Sequence, residues 1–403
     1  MAQLGRRADQ IVSRSYSSSE DETDGDVDLP EAKVVAPVPA HRYGSTSPIH
    51  KQHHLYLVLD DWNQGFSIYK LDLADGSEGG DLTLPPLVHR QATADRSWNF
   101  AATGSKIIAA GGIKREDGVT LVYDTEMTAG LSIVPCLPDA QCATRSYLVR
   151  HREWAVRDRQ DDFKGGWAAK GKHASTGSSC AKHRWSWSSI PASPPFRTYY
   201  GKESCAVHPK GGHTLFVSVG NGQITDIDVK GSSTGACQIF TYDSGSREWR
   251  HHGEGDMPFW GRAHYDSELD AWVGLQKLPD RHYMAADGYL CSCDVVSLDG
   301  SFMQPAWKLC AERLFDPGTK CHMDASLVYM GDSNYCLVEL IARERFKNWR
   351  CKNVGNKCEK IQVTTFRLKY GKSGELTITA RRPKRSYPFS NFYECTRVRA
   401  FWI

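Results

Sequence analysis

The chain has 403 residues, too many for one ordinary small domain, and no shift in composition divides its body, so it reads as one large domain behind a tail. Its 50 basic and 47 acidic side chains leave a net charge of only +3, which excludes a whole-molecule field that would draw in nucleic acid or a membrane surface. The 12 Trp, 17 Tyr and 35 Gly favour many short strands with frequent turns over helices.

No long apolar window suits a membrane-spanning helix, and the N-terminus lacks an apolar signal core, so a soluble, non-secreted chain is expected, cytoplasmic or nuclear. The 13 cysteines agree: the number is odd, and the residues lie in strand-like contexts such as Leu290-Cys291-Ser292-Cys293. In a reducing compartment they read as free, buried, small apolar side chains.

Residues 1–52 hold a Ser-rich run, the acidic block Glu20 to Asp26 and four prolines, and offer little to bury. They read as a disordered tail. Arg6, Arg7 and Arg14 before Ser15 to Ser19 loosely resemble an organelle presequence, so organelle import is the alternative localisation. Ordered sequence begins at His54 to Leu59, turns through Asp60 to Gly65 and returns over Phe66 to Leu71, a hairpin. An apolar strand ending at Gly111-Gly112, a strand ending in the turn Tyr123-Asp124, and a strand entering Pro135 follow the order of a kelch-type propeller blade.

Residues 151–184 break the alternation. They mix Lys and Arg with Trp154, Trp167, glycines and a Ser run, and read as an irregular basic inter-blade insertion. Interleaved aromatic and basic residues also suit single-stranded nucleic acid, and that is the alternative carried by 150–184, although nucleic acid is not the expected partner.

Strands resume at Trp185 to Ile190, Ala206 to His208 and His213 to Val219. Then one motif is written twice: Tyr242-Asp243-Ser244 with Trp249, and Tyr265-Asp266-Ser267 with Trp272, each tryptophan seven residues after its tyrosine. Asp and Ser close a tight turn, while Tyr and Trp suit a half-buried pleated surface, so both tryptophans are assigned to packing. Further strands are expected near Gly288 to Cys291, Pro305 to Leu309, Ser326 to Met330, Tyr335 to Glu339, Val363 to Leu368 and Leu376 to Thr379. The basic run Arg381 to Arg385 opens a C-terminal tail, 381–403, and reads as a solvated turn or a nuclear-import patch. Grouped in fours, the strands make an all-β, kelch-type β-propeller of about six blades, seven being the alternative, over residues 53–380.

Six stretches, HLYLVLDDWNQGFSIYKLDL, WSWSSIPASPPF, YDSELDAWVGL, GYLCSCDV, PAWKL and LVYMGDSNYCLVE, resemble the large grass family that carries domain of unknown function 1668. The resemblance covers about residues 53 to 380. It implies a plant protein with a kelch or galactose-oxidase-like propeller, comparable to F-box-associated kelch domains. It implies no activity, ligand or catalytic residue. Residues 145–184 depart from the expected blade sequence, and no F-box is apparent in the first 52.

Candidate chemistry is sparse. Cys291-x-Cys293, with Cys310, Cys321 and His322 downstream, is weighed as zinc and set aside, because one C-x-C within a strand is expected to splay its sulfurs. A copper oxidase would need Tyr, His and Cys to converge on the axis, and no spacing selects such a set. No nucleophile elbow, phosphate loop or H-E-x-x-H pair occurs. No catalytic residue, cofactor or metal is therefore assigned. The expected function is a non-catalytic, monomeric scaffold that binds a protein partner through rim loops, with Trp62, Trp260 and Arg262 as anchors at polar or Gly-rich turns. A metal-dependent enzyme using the axial pocket is the competing class.

Overall fold

The computed structural model of the chain describes residues 53–61, 65–73, 80–92, 98–111, 119–127, 130–134, 153–155, 166–172, 184–190, 194–196, 204–210, 213–220, 237–277, 288–298, 304–315, 322–342, 358–389 and 397–403. The expected disordered tail, 1–52, lies outside them. Among the described residues every regular element is a strand, and no helix long and apolar enough to cross a membrane is present.

Strands β1 (Leu55–Asp60) and β2 (Phe66–Leu71) form the expected hairpin, Leu55 opposite Leu71 and Asp60 opposite Phe66. After the short β3 (Gly80–Asp81), β4 (Leu87–Gln91) adds to the free edge of β2. The next antiparallel sheet runs in chain order through β5 (Asn99–Thr103), β6 (Lys106–Gly111), β7 (Val119–Asp124) and β8 (Leu131–Val134). Then come β9 (Glu153–Ala155), β10 (Gly166–Lys172) and β11 (Arg184–Ile190), a three-stranded antiparallel sheet.

That sheet corrects the expectation of an irregular insertion for the described part of 151–184, residues 153–155, 166–172 and 184; the rest of the segment lies outside the described residues. Backbone pairing from Gly166 opposite Ile190 to Lys172 opposite Arg184 makes a regular ladder where the side-chain alternation is poor. Main-chain hydrogen bonds do not require an apolar face, so the strand leaves little trace in the pattern.

Two more meanders follow: β12 (Ser204–Val207), β13 (Thr214–Val219), β14 (Gln238–Asp243) and β15 (Glu248–Glu254), then β16 (Phe259–Asp266), β17 (Ala271–Gln276), β18 (Tyr289–Asp294) and β19 (Trp307–Arg313). The last comprises β20 (His322–Gly331), β21 (Asn334–Ala342), β22 (Cys358–Tyr370) and β23 (Leu376–Thr379). Among the described residues these three are stitched into one sheet by brief parallel contacts, Ser204 with Gly261 and Cys205 with Arg262, and Cys310 with Leu376.

The expected C-terminal tail is also corrected. β24 (Arg385–Pro388) pairs with β22, and β25 (Arg397–Trp402) pairs along the whole of β1, from Leu55 opposite Trp402 to Asp60 opposite Arg397. The basic run is a solvated turn only in its first part: Arg381, Arg382 and Pro383 are exposed, Lys384 is half-buried and Arg385 is buried at the start of β24. Arg382 donates to Leu73 O at 3.1 Å, Lys384 to Leu314 O at 3.0 Å and Arg385 to Asp72 O at 3.0 Å. Their cationic side chains satisfy carbonyls that loops leave without a ladder partner.

The core lies between successive sheets. Leu55, Leu57 and Leu59 of β1 pack with Val338, Leu340 and Val363, while the intervening Tyr56 and Val58 pack with Ile107 and Leu121 of the next sheet. Alternate residues of a strand face opposite ways, so a strand covered on both sides reads as a continuous apolar run, as Leu55 to Leu59 do before the strand ends at Asp60. Fully burying each such Leu contributes about 1.5–3 kcal/mol. Other clusters join β12–β15 to β16–β19, and β16–β19 to β20–β23, in the same way.

Candidate functional site

The doubled motif forms the hairpins expected of it. Tyr242 lies opposite Trp249 in β14–β15, and Tyr265 opposite Trp272 in β16–β17. In the first turn Asp243 Oδ1 accepts from the Gly245 and Ser246 amides, both at 2.8 Å. In the second, Asp266 Oδ1 accepts from Glu268 N at 3.0 Å and Leu269 N at 3.3 Å. The copies then diverge. Asp266 is fully buried and also accepts from Ser333 Oγ and Tyr335 OH of the following meander, each at 2.9 Å. The motif is therefore scaffold, and in its second copy it fastens one sheet to the next.

A cavity of ≈350 Å³ opens where the first strands of the meanders converge. It is lined from β5, β12, β16 and β20, and from the closing strand β25. The volume lies in the range that takes an organic group. One irregularity shapes its wall. The β16–β17 register steps from Trp260 opposite Leu275 to His264 opposite Val273, so that 261–263 bulge against the single residue Gly274. Gly261 sits at φ +66, a left-handed conformation that suits glycine. Gly274 permits the close approach on the partner strand, where an added Cβ would lie 2.6 Å from Phe259 Cβ. The bulge frees residues 261 and 262 from β17 to pair with β12, and sets Trp260 and Arg262 on the cavity wall.

The described lining carries charged side chains. Arg262, Arg397, Arg399 and Asp324 are its charged residues. Arg399 Nη1 lies 2.8 Å from Asp324 Oδ2, which also accepts from Val398 N at 3.1 Å. Trp260, Tyr329 and Trp402 add aromatic surface. His264 also lines the cavity, with Nε2 3.0 Å from Leu327 O.

Of the three expected anchors, Trp62 lies outside the described residues. Trp260 and Arg262 are brought together, but on the innermost strand of their meander and not in a rim loop, which corrects their placement. Gly261 marks a bulge as readily as a turn, and the sequence was legible only to that point. Arg397, Arg399 and Asp324 were missed; the alternation Arg397-Val398-Arg399-Ala400 was the available signal for a half-buried strand.

The other candidates stay apart. Cys291 and Cys293 do not splay: residues two apart share a face of a strand, and both sulfurs sit in the cluster around Trp272. Cys310 belongs to the neighbouring cluster. Burial pushes the Cys293 and Cys336 thiols up to about 12, which leaves them unreactive at neutral pH. Among the described residues no three His, Cys, Asp or Glu side chains form a group able to hold a metal. His208 is buried, which lowers its pKa, and its Nδ1 accepts from Lys210 N at 3.2 Å; His251 Nε2 meets Gln238 Oε1 at 2.7 Å.

Residues 52–387 match the family described as "Protein of unknown function (DUF1668)". No curated protein matches the chain. Solved structures similar to it include a protein from Lactobacillus plantarum, at 10% identity and TM-score 0.40 over 87% of this chain and 99% of that one. A putative 6-phosphogluconolactonase from Bacteroides fragilis shares 8% identity at TM-score 0.40, over 88% and 99%. A chain of a nidogen/laminin complex shares 10% at TM-score 0.41, over 87% and 98%. Likeness of this degree carries no argument about function.

Proposed function

We propose, from the premise that the chain belongs to the DUF1668 family of proteins of unknown function, that it is a non-catalytic scaffold that binds a protein partner. In this reading the successive meanders are blades of a six-bladed, kelch-type propeller. The ring is closed by β25 on β1, and the protein works as a monomer in the cytoplasm or nucleus. The partner contacts the rim loops and inserts its anchor groups at the mouth of the axial cavity.

One observation carries the reading: the bulge in β16 presents Trp260 and Arg262 side by side on the cavity wall. Trp and Arg are the residue types that most often dominate binding energy, and they do so in pockets. The covered faces of the surrounding strands supply the rigid base that variable loops need.

The test is affinity capture with the tagged full-length chain from grass tissue, the source that the sequence resemblance implies. A reproducible partner should be recovered by the wild type and lost from Trp260→Ala/Arg262→Ala, with the melting temperature unchanged. Recovery of the same partners by the double variant overturns these anchors. Stoichiometric copper or zinc in the purified protein would favour the axial-pocket enzyme. A salt-sensitive RNA shift abolished by Lys/Arg→Gln changes within 151–184 would favour nucleic acid; deletion is the poorer test, since it removes β9 and β10.

A further inference from the structure

Alternate residues of β21 and β22 pack into two different clusters: Cys336, Val338, Ile361 and Val363 on one side, Tyr335, Leu337, Phe366 and Leu368 on the other. Glu339, Gln362 and Thr364 belong by their spacing to the second side, and the register sets Glu339 opposite Gln362, and Gln362 opposite Ser386 of β24. A row of polar side chains therefore crosses three strands in a layer that is otherwise hydrophobic. Glu339 is fully buried, and Thr364 and Gln362 are nearly so. His322, stacked on Phe315 with ring centroids 4.3 Å apart, brings Nδ1 to 3.3 Å from Glu339 Oε1, and Lys384 Nζ lies 3.6 Å from Oε2. Neither contact is a hydrogen bond. Among the described residues both Glu339 oxygens, both His322 ring nitrogens, Gln362 Oε1 and Thr364 Oγ1 are buried with no hydrogen-bond partner in the protein.

We propose that this cluster is an internal hydration site, in which ordered water joins Glu339 to Gln362, Thr364 and His322. The inference goes beyond the scaffold reading and does not depend on it. A buried polar group without a partner costs on the order of 1–3 kcal/mol, so six gathered in one place point to a bound polar molecule. Charge selects water over an ion. The Glu339 carboxylate is balanced by Lys384, whose ammonium is held by Leu314 O at 3.0 Å, so a further cation or anion would stand unpaired. The inventory of donors and acceptors selects it too: the carboxylate and the Gln362 carbonyl only accept, while the Thr364 hydroxyl and the His322 ring can also donate. Water brings two protons for the first pair and lone pairs for the second.

Oxygen-17 relaxation dispersion of water counts the long-lived waters of the full chain in solution. Gln362→Leu/Thr364→Val, which removes two of the proposed water partners and leaves the Glu339–Lys384 ion pair in place, should lose at least one of them. Thr377→Val, whose hydroxyl donates to Lys369 O at an exposed position, should lose none. An unchanged count in the folded double variant overturns the proposal. If that variant does not fold, wild-type crystals decide the matter: density for water is expected about 2.6–3.2 Å from a Glu339 oxygen and from Gln362 or Thr364. Two findings there would overturn it. One is direct bonding of these groups to one another with no density between them; the other is a species about 2.0–2.6 Å from the oxygens, the distance of a metal ion.

Discussion

Trp249 and Trp272 stand at the same offset from their Tyr-Asp pairs but are not equally buried. Trp272 is fully buried, its ring 5.4 Å from that of Phe216, and its indole N–H donates to Val207 O at 2.9 Å. Trp249 is half-buried, against Tyr242 at 5.0 Å and Phe196 at 5.2 Å. Trp272→Ala should therefore lose about 3–5 kcal/mol of stability in urea denaturation, and Trp249→Ala clearly less. Equal losses would show that burial does not rank these sites. Ionisable residues add a pH profile. Burial pushes Tyr242 from 10.0 up to about 12, and Cys293 and Cys336 from 9.0 up to about 12. Each is held neutral in the fold while its unfolded counterpart ionises, so stability is whole below pH 9 and declines as pH rises toward 12. At the acid end burial acts to raise Asp243, but the Ser246 amide, the Thr214 hydroxyl and the Gly245 amide outweigh it and hold the carboxyl below its usual value. That contribution is present above the unfolded value and is lost as pH falls through the folded one. Urea midpoints measured across pH should trace a plateau with both flanks, and Tyr242→Phe should flatten the alkaline flank.

At the scale of elements, the same hairpin motif serves two positions. Tyr242-Asp243 ends the third strand of its meander, whereas Tyr265-Asp266 ends the first. Turn chemistry is local and indifferent to position, so a repeated motif marks a repeated hairpin and not a repeated blade. The element that matters most to the architecture carries no such motif. β25 completes the first sheet by covering the edge of β1, and its Val398 and Ala400 fill the cluster shared by β1 and β21. Truncation after residue 389 would expose that edge and leave a gap in the cluster. The truncated chain should melt at least several degrees lower than the intact protein and associate on size exclusion, since an open strand edge templates pairing. A truncated monomer with an unchanged melting temperature would remove β25 from this role.

Over the molecule as a whole, strand existence was legible wherever both faces are covered or a tight turn follows: LYLVLD and FSIYKL, the turn at Gly331 to Ser333, and LTIT all fold as their patterns say. It failed for β9, β10 and β25, where charged and small residues sit on strands held by backbone pairing. The candidate site was half legible. Trp260 and Arg262 could be picked as residue types, but not as neighbours of Arg397, Arg399 and Asp324, which lie more than 60 residues away in sequence. By itself, then, the sequence determined the all-β class, most hairpins and the packing tryptophans, because side-chain alternation and turn chemistry act over a few residues. Only the tertiary structure decided that β25 completes the first sheet, and that a bulge turns Trp260 and Arg262 onto a cavity wall shared with Arg397, Arg399 and Asp324. Those outcomes depend on which strands become neighbours, and that is settled by packing between distant segments.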